Sequence, residues 1–147
     1  MGGIVCAIRG GPSSRATIAR AVALAQETNQ PLWFLYVVDL SFLARTSTSR
    51  VRTIREQMEQ MGESILQAAQ ARADVQDVKA SAAVRHGDVG DEIVSLCREL
   101  QADYLVLGQP DGEPENNVFT RARLEQFRQR MEEETGSKLV LSSVESS

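Results

Sequence analysis

The chain has 147 residues, enough for one domain with a sizeable core and too few for two of ordinary size. Its apolar share is 42%, its charged share 24% and its net charge −4, so there is no basic excess to attract nucleic acid. The longest apolar run, PLWFLYVV at residues 31–38, is far shorter than a membrane span, so no membrane partner is expected and a cytoplasmic location is.

In chain order, MGGIVC is similar to a myristoylation signal but has Cys6 where Ser or Thr is required, so no lipid anchor is expected. IVCAI, residues 4–8, is a continuous apolar run closed by Gly10, Gly11 and Pro12, as in a central strand buried on both faces. Ser13 or Ser14 can cap the helix that follows. Its Ile18, Ala21, Val22 and Ala25 fall at i, i+3, i+4 and i+7 and form one sheet-facing stripe, with Asn29 and Pro31 marking the end. LWFLYVV, residues 32–38, is the second buried strand, and the polar stretch 39–49, with its RTSTS, is a loop.

Val51, Ile54, Met58, Met61, Ile65 and Ala68 then hold a three-four spacing, the apolar stripe of a long second helix. Gly62 within it costs about 1 kcal/mol relative to Ala without breaking the stripe. VKASAAVRH, residues 78–86, alternates like a half-exposed strand, and its small residues with Lys79 and Arg85 suit a sheet edge. In GDVGDEIVSLCREL, Asp88 is a helix cap with Asp91 three residues on, and Ile93, Leu96, Cys97 and Leu100 make the apolar face. YLVLG is the fourth strand.

After a loop, Phe119, Thr120 and Leu124 fit a capped and stapled helix start, Leu124, Phe127 and Met131 its buried stripe, and Gly136 its end. KLVLSS is the last strand. Five strands alternating with four helices specify one α/β domain over residues 1–147: a doubly wound parallel sheet with right-handed crossovers and helices on both faces. Cys6 on a strand and Cys97 on a helix match neither a metal site nor a disulfide framework, and both are expected to be buried structural thiols.

This order, and above all VRHGDVGDEI followed by ADYLVLG, resembles the universal stress protein family over nearly the whole chain. The resemblance implies a five-stranded parallel sheet in the order 3-2-1-4-5, of the adenine nucleotide alpha hydrolase-like kind. The family is usually dimeric, and some members bind ATP at the strand carboxyl ends. In such a sheet the order reverses beside the first strand and leaves a crevice there for ligands. The candidate binding residues around it are Arg9, Gly10 and Gly11 after strand one, Val38 and Asp39 after strand two, and His86 ending strand three. The fourth loop and the helix after it add Gly108, Gly112, Arg121 and Arg123.

ATP-binding members carry G-x-x-G, nine further residues and G-[ST]. Here Gly108 and Gly112 are separated by three residues; counting nine past Gly112 reaches Ala122 and Arg123, and counting from Asp111 in the second glycine's place reaches Arg121 and Ala122, with no Gly-Ser or Gly-Thr in either register. Asp111, Glu113 and Glu115 would each repel a triphosphate by about 1 to 4 kcal/mol at roughly 4 Å, and Pro110 and Pro114 remove amide donors. Arg121 and Arg123 could supply some positive charge, or pair with neighbouring acids. Arg9 stands where ATP-binding relatives commonly carry an Asp, and Asp39 is its simplest partner. RGGPSS is similar to the SGGxDS loop of ATP pyrophosphatases, but Gly-Gly at such a bend is the default for a tight turn.

His86, the one histidine, has only Asp88 near it in sequence, and helix capping already claims that acid. No metal cluster or nucleophilic triad can be assembled. Arg45, Arg50, Arg52 and Arg55 among hydroxyl residues suit a solvated loop, or a lid or docking segment whose charge phosphorylation near Ser47 or Ser49 could reset. The expectation is a non-enzymatic regulatory or interaction domain of the branch without the ATP loop, with no cofactor and an unidentified protein partner. An adenine-nucleotide sensor for AMP or ATP is the alternative, and an ATP-splitting enzyme the third reading. A homodimer is expected through residues 138–144, because from Lys138 to Val144 the strand carries that single charge on an apolar edge.

Overall fold

The computed structural model describes residues 2–8, 14–39, 48–108 and 121–142. The described elements alternate along the chain: β1 (Ile4–Ala7), α1 (Ser14–Thr28), β2 (Leu32–Val38), α2 (Thr48–Val75), β3 (Ala80–His86), α3 (Val89–Leu100), β4 (Tyr104–Gly108), α4 (Arg121–Glu134) and β5 (Lys138–Ser142). The strands form one sheet in the order β3-β2-β1-β4-β5, and every neighbouring pair is parallel. The expected order and helix layers are therefore present, with His86 closing an edge strand.

Side-chain alternation along the strands sorts the core into two halves. Ile4, Cys6, Phe34, Tyr36 and Val106 point to the face covered by α1 and α2. Val5, Leu35, Leu105, Leu107 and Leu139 point to the face covered by α3 and α4. The central strands are thus apolar at successive positions because both faces are dry, and Ile4, Val5 and Cys6 are all fully buried. On α1 the expected stripe of Ile18, Ala21, Val22 and Ala25 is buried, and on α4 so are Phe127 and Met131. Both thiols are free and buried. Loss of water pushes the Cys6 thiol far up, and takes Cys97 up to about 12, partly opposed by a hydrogen bond with Ser137.

Several boundaries differ from the sequence expectation. Ile8 lies beyond β1, although it is buried and its N–H donates to the Leu35 carbonyl at 2.9 Å. The second helix begins at Thr48, so the last residues of the expected loop are helical. The third strand begins at Ala80: Asp77 has φ 61° and the Val78 N–H still donates to the Ala73 carbonyl at 2.9 Å, which keeps Val78 in the turn. Gly136, with φ +75°, ends α4 as expected, its N–H reaching the Met131 carbonyl at 3.0 Å. Phe119 and Thr120, the expected staple and cap, lie outside the described residues, as does the Leu124 side chain.

The largest correction concerns α2. Its buried residues are Gly62, Leu66, Ala69 and Ala73; of the expected stripe, Val51, Ile54, Met58 and Ile65 are partly buried, with Met58 and Ile65 packed against the core, whereas Met61 is 54% exposed and Ala68 is exposed. The helix is rolled because Gly62 lies against the Tyr36 ring: a Cβ there would stand 2.8 Å from Cε2. Gly62 therefore lets α2 settle against the Tyr36 ring, and the face that includes it with Leu66, Ala69 and Ala73 is the most buried.

Candidate functional site

β2 and β3 run in parallel register, so their carboxyl ends lie side by side, with Val38 opposite His86. The Gly87 N–H donates to the Val38 carbonyl at 3.0 Å. Gly87 has φ +140°, and a Cβ on it would stand 2.9 Å from Glu92 Oε2, so a glycine is what allows this turn. Asp88 follows in extended conformation and accepts from the Asp91 N–H at 3.0 Å, the expected cap of α3. From the other side the early turns of α2 bring Arg55, Glu56 and Glu59. These groups enclose a cavity of about 600 Å³ lined by Val38, Asp39, Arg55, Glu56, Glu59, His86, Gly87 and Asp88.

Four of those side chains are carboxylic acids, and they face one arginine and one histidine. His86 Nε2 meets Glu59 Oε2, and both side chains are partly exposed. The neighbouring Arg85 makes a two-pronged contact with Glu99 on α3, its Nη1 donating at 2.9 Å and its Nη2 at 2.7 Å. That hydrogen bonding holds the Glu99 carboxyl below its usual range and raises the Arg85 guanidinium. Arg85 therefore ties α3 to the edge strand. Among the described residues none that lines the cavity is Ser, Thr, Cys or Lys, so the His86–Glu59 pair has no nucleophile to activate among them. Among the described residues no cluster of three or more His, Cys, Asp or Glu is arranged to hold a metal ion.

Of the residues expected around the crevice, the fold brings together Val38, Asp39 and His86. Gly108 ends β4 opposite Ser142 and is not part of this lining. Arg9, Gly10, Gly11 and Gly112 lie outside the described residues, and with Arg9 the expected pair to Asp39 does too. Arg121 and Arg123 open α4, and their side chains lie outside the described set. The described cavity sits over β2 and β3, beside the reversal point next to β1. The sequence expectation did not include Glu56 and Glu59, and it considered Asp88 as the only acid near His86. No local pattern marks these two glutamates, because they reach the site through the packing of α2 beside the end of β3.

The universal stress protein family model matches residues 1–127 of this chain. The fold is similar to that of universal stress protein UspA from Lactobacillus plantarum, with a TM-score of 0.76 at 15% identity, covering 96% of this chain and 97% of that one. A universal stress protein in complex with cAMP matches with a TM-score of 0.67 at 18% identity over 95% of each chain. The universal stress protein from Archaeoglobus fulgidus in complex with dAMP matches with a TM-score of 0.60 at 13% identity, covering 97% of this chain and 98% of that one. No curated protein matches the sequence.

Proposed function

This chain belongs to the universal stress protein family, and we propose that within it the protein is a non-enzymatic regulatory interaction domain that does not bind ATP appreciably. The observation that carries this reading is the charge of the cavity: Asp39, Glu56, Glu59 and Asp88 face Arg55 and His86. A triphosphate near 4 Å from any of these carboxylates meets about 1 to 4 kcal/mol of repulsion. Asp111, Glu113 and Glu115 in the fourth loop act in the same sense, and Pro110 and Pro114 withhold amide donors.

Calorimetric titration with magnesium ATP at low salt tests it. The expected dissociation constant is weaker than roughly 1 mM, about 4 kcal/mol of binding free energy. Neutralising Asp111, Glu113 and Glu115 together should restore little, since the prolines remain. Micromolar binding by the unaltered protein would overturn the reading.

A second reading, an adenine-nucleotide sensor, is favoured by the cAMP and dAMP complexes of two structural neighbours. A mononucleotide brings a single phosphate to the acidic wall, and so meets less repulsion than ATP. Acid denaturation of the purified protein, followed by absorbance and mass spectrometry of the released material, distinguishes the two. The protein is further proposed to act in the cytoplasm as a homodimer through β5, supported by the position of that strand at the sheet edge and by Lys138 as its one charge. A sedimentation profile of a monomer at tens of micromolar, on the order expected to populate even a weak interface, would count against that assembly.

A further inference from the structure

α2 carries more apolar surface than the fold uses. Between residues 51 and 75 the positions reached by alternating steps of three and four are all apolar except Arg72, a 3.5-residue repeat. The sheet takes the adjoining face and leaves half of the repeat outside, with Met61 54% and Val75 78% exposed. These two are the exposed large apolar side chains among the described residues.

At its carboxyl end this strip meets α1. Arg72 and Val75 face Ala19, Val22 and Ala23 across a groove of about 400 Å³, with Arg15 also in its lining. Gln26 Nε2 donates to the Gln76 carbonyl at 3.0 Å and ties the two helices together there. Among the described residues the lining has an apolar floor, two guanidinium groups and no carboxylate. Arg15 and Arg72 make no ion pair among the described residues, as is also the case for Arg20, Arg50, Arg52 and Arg55. In a chain with 20 acidic and 16 basic residues, a groove whose described lining holds two arginines and no acid is a local reversal of charge. The groove shares no lining residue with the crevice, so its role does not depend on what the crevice binds.

We propose that this groove docks an amphipathic helix of a partner protein whose apolar seam is flanked by Asp or Glu. The exposed half of the repeat, Met61, Ala68 and Val75, recurs every seven residues and leads along α2 to the groove, a spacing that the apolar seam of a second helix can follow. The small Ala19 and Ala23 allow close approach of its backbone, and an arginine fork matches a carboxylate.

The test uses the full chain and two labelled synthetic peptides of about three heptads, with leucine at the seam and either Glu or Lys at the flanking positions. The Glu peptide should bind at least roughly tenfold more tightly than the Lys peptide. Val75→Ser should weaken the Glu peptide about tenfold, and the Arg15→Glu, Arg72→Glu double variant should invert the preference. The substituted side chains are exposed, and circular dichroism confirms that each variant is folded. Amide chemical-shift mapping on the unaltered protein reads the same contact without substitution, at Ala19, Ala23 and Val75. Equal affinity for the two peptides would overturn the proposal, as would shifts confined to other surfaces. So would absence of binding, including the case in which the chain instead self-associates through Val75 and the groove belongs to a second copy.

Discussion

Replacing Gly62 by alanine sets helix propensity against packing. In an isolated helix the change is worth about 1 kcal/mol in favour of the helix. In the folded protein the new Cβ would stand 2.8 Å from Tyr36 Cε2 and 3.1 Å from Cγ, against a ring that is only 7% exposed. β2 lies between β1 and β3, so neither the ring nor its strand can retreat without disturbing a neighbour. Overpacking of this kind costs about 1 to 3 kcal/mol. The net expectation is a destabilisation of roughly 0 to 2 kcal/mol, centred near 1, or a fall in Tm of about 2–4 °C for a domain of this size. Urea unfolding followed by the fluorescence of Trp33, the one tryptophan, measures it. In a Tyr36→Ala background the ring is gone, and Gly62→Ala should then stabilise by about 1 kcal/mol. If Gly62→Ala raises the stability of the otherwise unaltered protein by the full propensity gain, the close approach of α2 to Tyr36 is refuted.

Asp88→Ala removes the acceptor of the Asp91 N–H and should cost about 1 kcal/mol, while Asp88→Asn keeps most of the cap; thermal denaturation compares them. Arg85→Gln should let the Glu99 carboxyl titrate closer to its usual range, as followed by carbon NMR. Because the folded protein holds that pKa down, the pair contributes stability above the ordinary carboxylate pKa and loses it as pH falls, so the variant should show a shallower acid limb. Burial raises the Cys97 thiol from 9.0 to about 12, so the unfolded chain ionises first and stability present below about pH 9 is lost as pH climbs toward 12. The slope is about 1.4 kcal/mol per pH unit for this thiol. Cys97→Ser should reduce it, and identical urea midpoints for the two proteins across about pH 8 to 10 would contradict the burial argument.

Much of the architecture is written in short-range terms. The α1 stripe, the cap by Asp88 and the stop at Gly136 each depend on residues within about a turn of one another, so spacing and side-chain type are enough to specify them. The bounds of β2 follow in the same way, since an apolar run between Pro31 and Asp39 has to be buried on both faces. Sheet order follows from the resemblance rather than from any residue, because the energy of one parallel pairing differs little from that of another.

The orientation of α2 is different in kind. Its sequence offers two adjoining faces, a 3.5-residue apolar repeat and a face of Gly62, Leu66, Ala69 and Ala73, and periodicity alone selects the first. The fold centres burial on the second and leaves the first only partly covered, because only a glycine lets the helix backbone settle against Tyr36, a residue 26 positions earlier in the chain by the difference of 62 and 36. That one long-range contact also turns Met61 outward, and the packing of α2 against β3 brings Glu59 to His86 and closes the acidic cavity. Local energies selected the helices and strands of this protein. The faces they bury, and the site formed where α2 meets the end of β3, depend on contacts between distant residues, which spacing along the chain does not encode.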